Sequence, residues 1–307
     1  MPESTWTVTG SEKLTFDNPV TTLQVRTVNG TVNVVGTDED SARLEISEVH
    51  GPELIVSHEN GVLTVGYDDL PWKGWLKFLD RKGWQRSAVV SLAVPSGTRV
   101  EVGVVGASVV VSGIDGPTTA KGVSGDSTLV GLSGPVLAET VSGDLEAKAV
   151  TGELRCNSVS GNLTVVDAGA SVRADSVSGD MIVDLDPVDR ATDVALNSVS
   201  GEIAIRLPHP ADAEVEANTT SGSVSNAFED LRVSGQFGMK RITGRLGTGR
   251  GRLRATTVSG AIALLRRPAR EDGPADGPAD APAGGPAGGP AGAPAGGPAD
   301  GPSGKVL

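Results

Sequence analysis

"VLAETVSGDLEAKAVTGELRCNSVSGNLTVVDAGASVRADSVSGD", Val136 to Asp180, repeats one phrase: Val-Ser-Gly or Val-Thr-Gly, then usually an acid or Asn. Whether that phrase is a row of chemical sites or the place where the chain turns decides the fold. Its glycines recur along the chain at 113, 125, 134, 143, 152, 161, 179, 201, 222, 235, 244 and 260. Those from Gly125 to Gly161 are nine residues apart, and wider gaps of 18, 22 and 21 follow. Nine residues fit one strand and one turn, and 18 to 22 fit a coil of two strands.

Registering the segments on the glycine sharpens the pattern. Seven residues before it stand Val136, Leu154, Val172, Val194 and Val215, and five before it Ala138, Cys156, Ala174, Leu196 and Ala217. Two after it stand Leu145, Leu163, Met181, Ile203 and Val224; four after it Ala147, Val165, Val183, Ile205 and, breaking rank, Asn226. The intervening positions are mostly polar, so the period is two and the segments are strands. One such coil cannot bury its own apolar face. Coils must stack at about 4.8 Å, which predicts an all-β, parallel β-solenoid.

The phrase then reads as a corner. Glycine suits a type II turn, which needs a positive φ at its third residue. Ser or Thr before it and Asp or Asn after it can bond backbone groups that the corner takes out of the ladder. A stacked Asp row could hold Ca²⁺, but the residues after the glycines include Pro135, Arg245 and Ala261 as well as Asp126, Asp144 and Asp180. Calcium needs six to eight oxygens, so turn chemistry is the better reading and no metal or other cofactor is expected.

Composition agrees. The 307 residues hold 42 Gly, only 3 % aromatics and 38 % hydrophobics, which suits small repeated layers. A formal charge of −12 argues against nucleic-acid binding. The opening residues carry no basic segment followed by an apolar run, no stretch approaches 18 apolar residues, and the single cysteine makes no internal disulfide. The expected address is cytoplasmic.

Three regions follow. Residues 1–96 read as a less regular β-region: "LQVRTVNGTVNVVG" carries the phrase with Asn29 in place of Ser, and Glu59-Asn60-Gly61 signals a hairpin. Residues 97–267 read as the solenoid repeats. Residues 268–307, with their GPAD and GPAG units, lack glycine at every third position and so cannot be collagen; a disordered tail is expected. The segment 68–86, "DDLPWKGWLKFLDRKGWQR", breaks the strand pattern and gathers Trp72, Trp75 and Trp84. It reads first as a flap over a solenoid end or flank, and alternatively as an interfacial helix on a membrane.

Charge is polarised. From Lys240 to Arg270 there are nine basic residues and no acid. Arg250, Arg252 and Arg254 alternate with Gly251 and Leu253, so they are expected on one outward face, as a solvated surface or an electrostatic contact. Catalysis looks poor. His50, His58 and His209 lie in unrelated contexts, with His50 and His58 read as strand or loop surface residues. Cys156 takes an inward position, and the serines have no periodic His partner.

"AVVSLAVPSGTRVEVGVVGASVVVSGIDG", the stacked "VSGD" units and the closing "RLGTGRGRLRATTVSGAIAL" together resemble the bacterial "putative adhesin" domain family of unknown function. The resemblance runs over about residues 20–266. It implies a β-solenoid and brings no active site with it. The expected function is a non-catalytic interaction scaffold, its partner a protein or a second copy, with Arg250, Arg252 and Arg254 as first contacts. The alternative is a surface or envelope adhesin that binds glycan or membrane through Trp72, Trp75 and Trp84. A polysaccharide-active enzyme is the third reading.

Overall fold

Strands with alternating burial make up the computed structural model, which describes residues 4–67, 86–169, 171–186, 191–236 and 238–267. All lie in the compact unit Met1–Ala269. The fold is an all-β parallel β-solenoid built on two sheets of fourteen and twelve strands. Strand Leu154–Ser158 shows the rule: Leu154 and Cys156 are buried, Arg155 and Asn157 exposed. Its neighbours sit in phase, Val136 against Leu154 and Leu154 against Val172, with Ala138, Cys156 and Ala174 stacked beside them. The second sheet repeats this with Leu145, Leu163, Met181 and Ile203. Identical inward positions on successive coils thus fill one continuous core. The proposed tail, residues 268–307, and most of the tryptophan segment, residues 68–85, lie outside the described residues.

At most of these corners the glycines are required for a reason other than the expected positive φ, which Gly113 (66°) and Gly179 (131°) do adopt. Gly125, Gly143, Gly161 and Gly260 do not adopt positive φ. A Cβ on Gly143 would instead lie 2.1 Å from the carbonyl oxygen of Gly125, and one on Gly161 2.0 Å from that of Gly143. Each glycine rests directly on the backbone of its counterpart one coil away, and only hydrogen fits there. The series also splits into two columns. Gly125, Gly143, Gly161, Gly179 and Gly201 stack at one corner; Gly116, Gly134 and Gly152 stack at another. Gly235 and Gly244 belong to neither, since they sit in an antiparallel hairpin.

Around the first column the polar residues of the phrase bond between coils. Ser142 donates both its amide (2.8 Å) and its hydroxyl (3.1 Å) to the Val123 carbonyl, and Ser160 does the same to Val141 at the same distances. Oδ1 of Asp126 accepts the Asp144 amide at 3.0 Å, Oδ1 of Asp144 the Asn162 amide at 2.8 Å, Oδ1 of Asn162 the Asp180 amide at 3.0 Å, and Oδ1 of Asp180 the Glu202 amide at 2.8 Å. Pro135 and Glu153 follow glycines of the other corner, so the acid row is more uniform than the sequence register suggests. It ends at Ala261, which follows the next glycine of the stack.

Both ends depart from sequence order. At the first end, Val62–Gly66 and Ser87–Pro95 pair in parallel with Thr22–Thr27 and Asn29–Thr37. The earlier coil therefore lies between them and the coil of Arg99–Val104 and Ser108–Ser112. Antiparallel strands Leu54–Glu59, Ala42–His50, Ser4–Val8 and Glu12–Phe16 then finish the two sheets. The signalled hairpin is present, with Asn60 and Gly61 at φ 50° and 80°. Trp6 meets Phe16 edge-on at 5.4 Å, and Phe16 meets His58 at 5.6 Å. That cluster makes His58 a buried residue, not the surface one expected from its strand context.

At the other end, the last strands in sequence, Gly251–Thr257 and Ile262–Arg266, are not last in space. Gly251–Thr257 lies between Asp193–Ser200 and Ala213–Thr219, parallel to both. Ile262–Arg266 likewise separates Ile203–Leu207 from Val224–Asn226. Val215 and Ala217, expected next to Val194 and Leu196, face Leu253 and Ala255 instead. Beyond them the hairpin Leu231–Gln236 and Met239–Leu246 closes the sheet. Asn226 explains its break in rank: its amide nitrogen donates to the carbonyls of Phe228 (2.7 Å) and Leu231 (3.2 Å), and its oxygen accepts the Phe228 amide (3.0 Å). It folds the chain over the core end, where Phe228, Leu231 and Ile242 are buried.

Candidate interaction surfaces

The three arginines do not act alike. Arg252 and Arg254 point outward from Gly251–Thr257, as alternation requires, while Arg250 sits in the preceding turn. Asp212 organises that turn. It accepts the Thr248 hydroxyl at 2.9 Å, the Arg250 amide at 3.1 Å and Arg250 Nε at 2.5 Å. The Arg250 guanidinium and amide, with Thr248 and the Gly249 amide, hold the Asp212 carboxyl well below the usual carboxylate range.

The basic run is also interleaved with acid. Arg252 lies in register between Asp193 and Glu214. Glu216 takes Arg241 at 2.7 Å and Arg254 at 3.8 Å. The inserted strand therefore carries its arginines between flanking carboxylates, which sequence alone could not display because the partners are far apart along the chain.

A second charged array crosses the same sheet. Glu153 bonds Arg155 (2.9 Å) and Arg173 (3.2 Å), and Arg173 reaches Asp193 (2.8 Å). On the other sheet Arg267 gathers Asp167, Asp184 (3.6 Å) and Asp186 (3.3 Å), and donates to the Leu185 carbonyl at 3.0 Å. Arg206 adds a bond to Asp184 at 3.0 Å. This knot fastens the exit of the inserted coil to coils on its far side. Sequence reading missed it, the only signal being a basic residue at the end of the last strand.

Cys156 is buried, and desolvation pushes its thiol up to about 12, so it is a core residue with no thiolate at neutral pH. Among the described residues no group of three or more His, Cys, Asp or Glu is arranged to hold a metal ion. An open shallow groove follows the acid row past Asp126, Asp144, Asn162 and Asp180. Valines of the phrase form an exposed ridge beside it, with Val159, Val177, Val199 and Val258 each close to half exposed. Trp72, Trp75 and Trp84 lie outside the described residues.

Residues 188–265 match the Toastrack DUF4097 family model. No curated protein matches the sequence. Among solved structures, a "putative adhesin" from Bacteroides fragilis is 12 % identical, covering 87 % of this chain and 97 % of its own, at a TM-score of 0.43. A "putative cell adhesion protein" from Clostridium sporogenes is 11 % identical, with 84 % and 100 % covered and a TM-score of 0.29. A "putative adhesin" from Parabacteroides merdae is 9 % identical, with 86 % and 96 % covered and a TM-score of 0.35. The family match spans the coil Asp193–Leu207, the terminal hairpin and the inserted coil, the part whose order departs most from a simple stack. Residues 188–265 are thus similar to the Toastrack DUF4097 model, and they lie within the span over which the sequence resembles an adhesin-like family of unknown function.

Proposed function

We propose that the chain is a non-catalytic interaction scaffold, a rigid stack of coils whose outward sheet faces meet another macromolecule. One observation supports this above the rest: the hydroxyls and carboxylates of the repeated phrase are engaged in bonds between coils. Residue types able to do chemistry are thereby used to hold the stack together. Arg252 and Arg254, which point outward from the sheet, are the contact residues on this reading; Arg250 is held in the turn by Asp212 at 2.5 Å, whereas Arg254 stands 3.8 Å from Glu216. A cytoplasmic setting belongs to the same proposal.

Affinity purification from the source bacterium, comparing the wild-type chain with Arg252→Glu/Arg254→Glu, tests the surface. A stoichiometric partner retained by the wild type and lost by the variant supports it; equal recovery by both overturns the assignment. The second reading, an adhesin for glycan or membrane, draws on the tryptophan-rich composition of residues 68–86. Flotation with anionic liposomes, comparing wild type with Trp75→Ala, tests it. Flotation of neither chain removes its membrane form.

A further inference from the structure

The fourteen-stranded sheet ends on Ser4–Val8 at one side and on Leu231–Gln236 at the other. Each edge strand pairs antiparallel with a single neighbour among the described residues, Leu54–Glu59 and Met239–Leu246 respectively. The second edge is unusual in its exposure. Every residue from Arg232 to Gln236 is exposed, and Val233 and Met239 are more than half so, at 55 % and 57 %. A strand with a bare backbone edge and bare apolar side chains is a template for another strand.

Charge selects the occupant. The hairpin 231–246 carries Arg232, Lys240, Arg241 and Arg245, and with the exposed Glu229 and Asp230 of the turn before it this end stays net basic. The antiparallel strands and turns at the opposite end, residues 4–17 and 42–60, carry six carboxylates against Lys13 and Arg43. Of the hairpin cations, Arg241 is paired with Glu216, and no ion pair within 4 Å joins Arg232 or Lys240 to a described carboxylate. At the acidic end Glu53 and Glu59 stand at the two ends of the strand backing Ser4–Val8, and both are exposed.

We propose that the partner is a second copy of this chain: the edge Leu231–Gln236 of one copy adds to the edge Ser4–Val8 of the next, so that one sheet continues from copy to copy. The contact is heterologous. Each copy keeps one edge of each kind free, and growth is open-ended. Opposite charges at the two ends fix the polarity and penalise joining like ends. The proposal deepens the scaffold reading and rests on it.

Sedimentation velocity on the full chain, over a wide concentration range at low and high salt, tests it. The wild type is expected to grow with concentration at low salt and to shrink at high salt, because the end charges are exposed. Arg232→Glu/Lys240→Glu and Glu53→Lys/Glu59→Lys should each weaken self-association about tenfold or more. An equimolar mixture of the two reversed proteins should restore growth, since each acidic end again meets a basic one. Circular dichroism of each variant separates loss of assembly from loss of fold. A strict monomer at every condition overturns the proposal, as does a closed dimer unaffected by reversal at Glu53 and Glu59, which would put two hairpins together. Either result leaves a separate protein partner intact, and the purification with Arg252→Glu/Arg254→Glu judges that independently.

Discussion

Gly161 is defined by what lies beneath it. With the Gly143 carbonyl oxygen 2.0 Å from where a Cβ would go, Gly161→Ala must push two coils apart at one corner. It should cost at least about 2 kcal/mol of stability. Gly97→Ala is the matched control, because nothing lies within 4 Å of its Cβ position, and its melting temperature should stay close to wild type. Asp212 makes a different kind of prediction. Its folded pKa is depressed below the ordinary 3.8, so the charged form is favoured on folding. Its contribution is therefore complete above that ordinary value and is lost as pH falls below it. Melting curves of wild type and Asp212→Asn should differ by a constant amount from neutral pH down to about pH 5, and converge below about pH 4. A difference that widens on acidification would contradict the assignment.

Asn226 carries the logic from residue to element. It stands where earlier coils place Ala147, Val165, Val183 and Ile205, and its three bonds convert a strand into the start of a cap. Asn226→Val restores the apolar pattern but removes those bonds, so it should loosen residues 228–246 without touching the middle coils. Hydrogen exchange reads this directly: faster exchange in that segment, with 100–205 unchanged. The same residue marks how far sequence can be read. The period-2 pattern identified the inward positions because alternation and burial are the same fact on a strand. It could not say which coil follows which. Leu253 and Ala255 satisfy an inward position as well as Val215 and Ala217 do, and nothing local distinguishes a coil added at the end from one slipped in before it. The surface was legible only in part: alternation placed Arg252 and Arg254 outward, but Asp212, 38 residues from Arg250, could be joined to it only by the fold.

At the scale of the molecule, the inserted coil is the piece that both neighbours need. Deleting residues 248–267 leaves Asp193–Ser200 and Ala213–Thr219 without the strand they share. Replacing 210–248 with a short glycine-rich linker instead joins Ile203–Leu207 to Gly251–Thr257 in simple stacking order and removes the outermost coil, Ala213–Thr219 and Val224–Asn226, together with the cap. The first deletion should abolish protection from exchange throughout 213–246 and lower the melting temperature sharply. The second should keep a cooperative transition while making the protein prone to aggregate at its bared edge. Equal damage by both would mean that the inserted coil is no more important than the coil and cap beyond it.

The order of strands also has a consequence in time. Translation releases residue 246, and with it the whole cap, before it releases the coil on which that cap sits. The next 20 or so residues, at about 5–20 residues per second, take about 1–4 s to appear. During that interval the apolar ends of Asp193–Ser200 and Ile203–Leu207 are finished but uncovered, and the cap has nothing to close on. A slow stretch of codons after residue 246 prolongs this exposure, and a fast one shortens it. Yield of folded protein should therefore follow the pace at which residues 247–267 emerge, even when the finished molecule is equally stable.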